Sequence, residues 1–166
     1  GFVRNLLQYH DLSPDLLEFE ITETVLMDNL DHANTILDEL TTLGIHLSLD
    51  DFGTGYSSLS YLQQFPVHRL KIDRNFIIKI GQNTENTQIV QAILNMARGL
   101  GLDVVAEGVE TAQAAARLKA MGCAFAQGFY FARPGTAKEI TALLPHDEPV
   151  SRNREIIGAL PPAYVR

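Results

Sequence analysis

Three times in this chain a helical pattern runs through an apolar residue and a glycine into a short strand-like segment. The joins are Leu43-Gly44-Ile45, Leu100-Gly101-Leu102 and Met121-Gly122-Cys123. Glycine just past a helix end takes the left-handed conformation that turns the backbone round. Runs with strand character cover 17–22, 46–52, 69–73, 103–109 and 124–131. Between them, 85–100 places Ile89, Ile93, Met96, Ala97 and Leu100 on one helical face, and 31–43 and 111–121 behave alike. Strands alternating with helices through tight joins predict parallel strands with right-handed crossovers, an α/β fold.

Neither a dinucleotide fingerprint nor a P-loop is present. Polar residues instead close successive strands: Glu20 the first, Asp50 and Asp51 the second, Lys71 and Asp73 the third, Glu107 and Glu110 the fourth, Gln127 the fifth. Chemistry gathered from many strand ends is the habit of a (β/α)8 TIM-like barrel, whereas an open sheet concentrates it at one switch point. Five strands are visible. At about 28 residues per unit, three more would bring the total near the usual ~250. The opening Gly1-Phe2-Val3-Arg4-Asn5-Leu6-Leu7 reads as helix, and the first third of the domain is expected to be absent. A partial domain is thus expected over 1–144, with a Pro- and charge-rich tail or linker over 145–166.

Composition narrows the classes. The chain has 166 residues, 46% hydrophobic and 20% charged, which fits one globular domain. No apolar run is long enough for a membrane span and no signal peptide opens the chain. Its single cysteine, Cys123, fits a reducing, cytoplasmic setting. A formal net charge of −7 without a basic stripe argues against DNA binding.

Two adjacent carboxylates in Leu47-Ser48-Leu49-Asp50-Asp51-Phe52 are expensive to bury unless paired or metal-bound; the bland alternative is two solvated aspartates in a turn. The glycines of Phe52-Gly53-Thr54-Gly55-Tyr56-Ser57-Ser58 favour a tight loop close to a ligand, with Ser57 or Ser58 capping the next helix. Asp51-Phe52-Gly53 matches a kinase triplet, but the upstream kinase motifs are absent. Strand alternation puts Glu18, Glu20 and Thr22 on one face. Glu23 then falls in the following loop, where hydrogen-bonding that loop is its plain role. Lys71, flanked by Leu70 and Ile72, needs a carboxylate partner if buried. Glu110 reads equally as a helix cap beside Thr111. Gln127 precedes Gly128-Phe129-Tyr130-Phe131, an aromatic run that reads as core, or else leaves Gln127 at a base edge or phosphate.

His46 and His68 fall at strand starts, the stability face of a barrel, and no nucleophile–His pairing suggests itself. What remains is a group of acids with one lysine. Oxygen-only donors select Mg²⁺ or Mn²⁺. Two chemistries stay open: an enolase-like proton abstraction with one metal, and two-metal phosphodiester hydrolysis, modestly favoured by the adjacent aspartates.

The motifs Glu20-Ile21-Thr22-Glu23, Asp50-Asp51-Phe52-Gly53-Thr54-Gly55-Tyr56-Ser57-Ser58-Leu59, Leu70-Lys71-Ile72-Asp73, Val105-Ala106-Glu107-Gly108-Val109-Glu110 and Gln127-Gly128-Phe129 resemble, in order and spacing, the EAL family of cyclic-di-GMP phosphodiesterases. The resemblance implies a barrel that hydrolyses cyclic di-GMP to linear pGpG with two Mg²⁺ or Mn²⁺ ions. It implies Glu20 as a first-metal ligand, Asp50 as a shared ligand, and Asp51 as a second-metal ligand. Glu107 and Gln127 would hold that second metal or its waters. Lys71 would orient the attacking water, with Glu23, Glu110 and Asp73 supporting. It also implies a homodimer, and fusion to sensory or diguanylate cyclase domains. The family's Glu-Ala-Leu motif, a substrate-binding Arg and an Asn ligand are expected to precede Gly1. The isolated chain is therefore expected to be weakly active or inactive, and a non-catalytic cyclic-di-GMP receptor is the rival.

Overall fold

All five strand patterns form strands in the computed structural model, which describes residues 1–28, 30–53 and 62–143. They are β1 (Glu18–Thr22), β2 (His46–Phe52), β3 (Arg69–Ile72), β4 (Asp103–Ala106) and β5 (Phe125–Ala126). The described helices are α1 (Phe2–Tyr9), α2 (Glu23–Asp28), α3 (Leu30–Thr42), α4 (Arg74–Ile78), α5 (Thr84–Leu100), α6 (Ala112–Ala120) and α7 (Ala137–Leu143). The expected Ser57 or Ser58 cap and the expected tail lie outside the described residues.

The glycine joins share one hydrogen-bond pattern. Ile45, Leu102 and Cys123 each donate an amide to the carbonyl five residues back, at 3.2, 2.9 and 3.0 Å. Gly44, Gly101 and Gly122 each donate to the carbonyl three residues back, with φ of +93°, +72° and +82°. This is the Schellman ending of a helix. A fourth copy closes α1 without glycine: Asp11, φ +51°, donates to Gln8, and Leu12 donates to Leu7.

The chain divides into two units. The first, Gly1–Asp73 with Asn95–Val104, carries β1, β2 and β3 in that order, parallel where they pair. Glu18 lies opposite His46, Glu20 opposite Ser48 and Thr22 opposite Asp50. Strand alternation separates two faces. Leu47, Leu49, Leu70 and Ile72 are buried, each worth roughly 1.5–3 kcal/mol. The other face carries charge in two rungs. In the lower rung Arg69 bonds Glu18 and lies 3.8 Å from Asp103; in the upper, Lys71 meets Glu20 and Asp50. His46 and His68 sit at strand starts as read from sequence, their rings 5.0 Å apart edge-on. His68 Nδ1 accepts the Leu47 amide at 3.2 Å, and desolvation, then the charge of His46, holds its pKa below the ordinary range.

The second unit, Arg74–Leu94 with the chain from Val105, packs Ile77, Val90, Val109 and Leu118 in its core. Val105 pairs with Phe125 and Ala106 with Ala126, in parallel. Two strand expectations are corrected here. The fourth strand stops at Ala106 rather than residue 109, and the fifth covers Phe125–Ala126 rather than 124–131. The reason is Gly128, at φ +152°, where a Cβ would lie 2.3 Å from the Val109 backbone. Its carbonyl accepts the Phe131 and Ala132 amides, closing a helical turn over the aromatic run.

Asp11→Gly removes an L side chain from a left-handed position, which costs roughly 1–2 kcal/mol. Part of that gain is offset by the greater entropy of unfolded glycine. Expected is a stabilisation of about 0.5–1 kcal/mol in urea unfolding, with Gly44→Ala shifting the midpoint the other way.

Candidate metal centre

Lys71 is only 5% exposed. Its strand neighbours Leu70 and Ile72 face the apolar side, which obliges its ammonium to find its partner on the charged face. It meets Glu20 Oε1 at 2.7 Å and Asp50 Oδ1 at 3.1 Å. The Asp50 contact is a charge contact without hydrogen-bond geometry, for this buried oxygen has no hydrogen-bond partner among the described residues. Glu20 and Asp50 therefore keep acceptor capacity beside a single lysine.

Adjacent residues of a regular strand point to opposite faces, yet Asp50 and Asp51 each offer a carboxylate oxygen within 4.8 Å of the other. An irregularity in the β2–β3 register between Leu49 and Phe52 makes this possible. Asp51 takes φ +54°, a left-handed conformation that aspartate tolerates better than most residues. Bulges of this kind re-aim side chains near active sites. Partial desolvation first, then Asp50 and Asp73, raise the Asp51 carboxyl above its ordinary range, with Lys71 opposing.

Glu107 and Gln127 meet within the second unit, the Gln127 amide donating to Glu107 Oε1 at 2.7 Å. The two residues follow β4 and β5 and are tied by backbone bonds as well: Gln127 donates to Ala106 and accepts from Val109. Glu110 is not a helix cap. Thr111 caps α6 by accepting the Ala114 amide at 3.1 Å, and Glu110 instead pairs with Arg74 at 2.6 Å. Arg74 lies over Gly108 so closely that a Cβ there would sit 2.3 Å from its Cγ. Arg74 was missed from sequence, since only the fold brings it to Gly108.

Glu23 is also corrected: it opens α2 rather than lying in a loop. Its Oε2 is buried without a hydrogen-bond partner among the described residues. The Thr54–Ser58 segment of the expected motif lies outside those residues.

The EAL domain family model matches residues 1–134. The chain belongs to the EAL domain family. The cyclic di-GMP phosphodiesterase NbdA of Pseudomonas aeruginosa is 48% identical over 132 residues, 80% of this chain and 17% of NbdA. The bifunctional diguanylate cyclase/cyclic di-GMP phosphodiesterase MucR of the same organism is 44% identical over 140 residues, 84% of this chain and 20% of MucR. Among solved structures, the PaMucR phosphodiesterase with c-di-GMP aligns at TM-score 0.79 and 44% identity, covering 83% of this chain and 56% of that one. Klebsiella pneumoniae BlrP1 in a manganese/cy-diGMP complex aligns at TM-score 0.76 and 36% identity, covering 81% of this chain and 34% of that one. The chain thus spans a small part of the curated relatives it matches. With its parallel strands, this likeness makes the chain part of the α/β barrel fold of EAL domains. Among the described residues, no helix is long and apolar enough to cross a membrane.

Because asparagine also tolerates the left-handed region, Asp51→Asn is expected to leave the melting temperature within about 2 °C, a surface-like perturbation. The same variant should weaken Mn²⁺ binding in calorimetry at least tenfold, a ligand-loss effect. Equal affinity for Mn²⁺ would remove Asp51 from the metal site.

Proposed function

We propose that the protein carrying this chain hydrolyses cyclic di-GMP to linear pGpG with two Mg²⁺ or Mn²⁺ ions. The observation that carries this reading is the buried Lys71 ammonium held between Glu20 and Asp50, beside a bulge that presents Asp51, in a chain of the EAL family. The donors fit hard divalent ions: they are carboxylate oxygens, and Asp50 Oδ1 is buried without a hydrogen-bond donor among the described residues.

In this reading Glu20, Asp50, Asp51 and Glu107 are the chain's metal ligands, and Gln127 holds Glu107 in place through its amide. The ions, when bound, supply an activated water and neutralise charge on the phosphate oxygens. Lys71 is the residue that touches the reacting centre. Its ammonium, fixed by two carboxylates, orients the water and faces the charge that builds on the phosphate. Asp73 acts on the bulge through Asp51, Glu110 steadies the Glu107 segment through Arg74, and Glu23 at the start of α2 is a further supporting acid. A cytoplasmic setting rests on the lone, buried Cys123, whose thiol burial pushes up. A homodimer rests on the family resemblance, and fused signalling domains on the MucR likeness; cyclic di-GMP is the small-molecule partner.

The test is conversion of cyclic di-GMP to pGpG by the protein that carries this chain, with and without chelator. Asp50→Asn is expected to abolish turnover, a drop of at least a thousandfold, since a carboxylate that would hold the ions is lost. Lys71→Met should also cost about a hundredfold or more in kcat, as for lost electrostatic stabilisation, while Mn²⁺ binds no more weakly because a competing cation is gone. Binding of cyclic di-GMP with no cleavage in either Mg²⁺ or Mn²⁺ would overturn the enzyme reading in favour of a receptor.

A further inference from the structure

We infer that Phe129 and Arg133 form a stacking shelf for a guanine base of the substrate, an inference that rests on the function proposed above. Of the three consecutive aromatics, Phe129 is the exposed one, at 50%. Tyr130 and Phe131 are partly buried and pack edge to face, their centroids 5.1 Å apart. The sequence assigned the whole run to core or left Gln127 as its only ligand-facing member. The turn found in its place separates Phe129 from its neighbours.

The turn is held firmly. Gly128 lies flat against Val109, where no Cβ fits. Val109 donates to Gln127 and accepts from Tyr130, each at 3.0 Å. Phe131 and Ala132 donate to the Gly128 carbonyl. On such a helical turn, residues four apart share a face, and Arg133 accordingly sets its guanidinium 4.6 Å from the Phe129 ring centroid. An exposed pair of this kind adds only about 0.5–1 kcal/mol to stability, which is small return for exposing a phenyl ring. Its chemistry toward a ligand is more specific. An aromatic face stacks any base, while a guanidinium fork matches the O6 and N7 acceptors of guanine and not the N6 donor of adenine. The shelf begins two residues after Gln127, whose amide is already fixed by Glu107.

The experiment measures KM and kcat for cyclic di-GMP, and binding of cyclic di-GMP and cyclic di-AMP by calorimetry with chelator present. It compares the unaltered protein with Phe129→Ala, Phe129→Leu and Arg133→Lys, each checked by melting temperature. Phe129→Ala is expected to raise KM about tenfold with kcat within about twofold, as for lost uniform binding. Phe129→Leu, which keeps apolar bulk without a π face, should behave like alanine. Arg133→Lys keeps the charge but not the fork, and should narrow the preference for the guanine over the adenine dinucleotide by about fivefold or more. Unchanged KM and preference in variants that fold, with the unaltered protein active, would overturn the shelf while leaving the phosphodiesterase reading intact. Phe129-dependent guanine preference in a protein that never cleaves would uphold the shelf and overturn the enzyme reading. An unaltered protein that binds neither dinucleotide would overturn both.

Discussion

The Lys71 ammonium, buried in mid-strand, sets the terms for the first unit. Leu70 and Ile72 on either side are fully buried on the apolar face, so β3 cannot slip by one residue without driving a charge into the hydrocarbon core and two apolar side chains out of it. The register is therefore fixed by charge as much as by leucine packing. Once it is fixed, Glu20 from β1 and Asp50 from β2 have to meet the same nitrogen. A structural ion pair would end there, with every acceptor satisfied. Here the Asp50 oxygen nearest Lys71 receives no hydrogen bond among the described residues, and a second aspartate has been brought alongside by a break in the strand. The arrangement holds more negative charge than one lysine balances, and Asp50 and Asp73 add to the partial desolvation that raises the Asp51 carboxyl.

The bulge at Asp50–Asp51 shows how the backbone serves this imbalance. Two neighbouring carboxylates could not converge on a regular strand. The left-handed turn at Asp51 carries a strain of order 1–3 kcal/mol, which the buried residues on both sides, Leu49 and Phe52, hold in place. Strain persists only where surrounding structure over-determines it, and it sits here at the one point where the fold needs two acids from consecutive positions.

Much of this was legible in the sequence. Parity along the strands placed Glu18 and Glu20 on one face, and the ion pairs to Arg69 and Lys71 fall there. The three glycine joins announced three helix ends because glycine is the usual solution at that position. The fourth, at Asp11, used the same hydrogen bonds with a residue that carries no such signal. What failed was the reading of the aromatic run as strand. Phe129, Tyr130 and Phe131 have high strand propensity, but the backbone contact of Gly128 with Val109 overrides it, and that contact joins residues nineteen positions apart in sequence. Arg74 and Glu110 were invisible as a pair for the same reason: both are ordinary surface residues until the fold places Arg74 over Gly108.

Local rules thus reach the acids and Gln127, but not every residue that holds them still. Each acid is announced by a violation, a charge in an apolar strand, and violations are visible one residue at a time. Supporting groups violate nothing. Thr111 capping α6, Gln127 gripping Glu107 and Arg74 covering Gly108 are each favourable in isolation and common on any surface. Their significance lies in what they immobilise, the short segment from Glu107 to Glu110, which has no strand pairing beyond Ala106 to fix it. A segment that leaves its strand early needs other bonds to replace the lost ladder: Val109 bonds the Gln127 and Tyr130 backbones and Arg74 of α4 adds a side chain, which is why the second unit is organised around its loops and the first around its sheet.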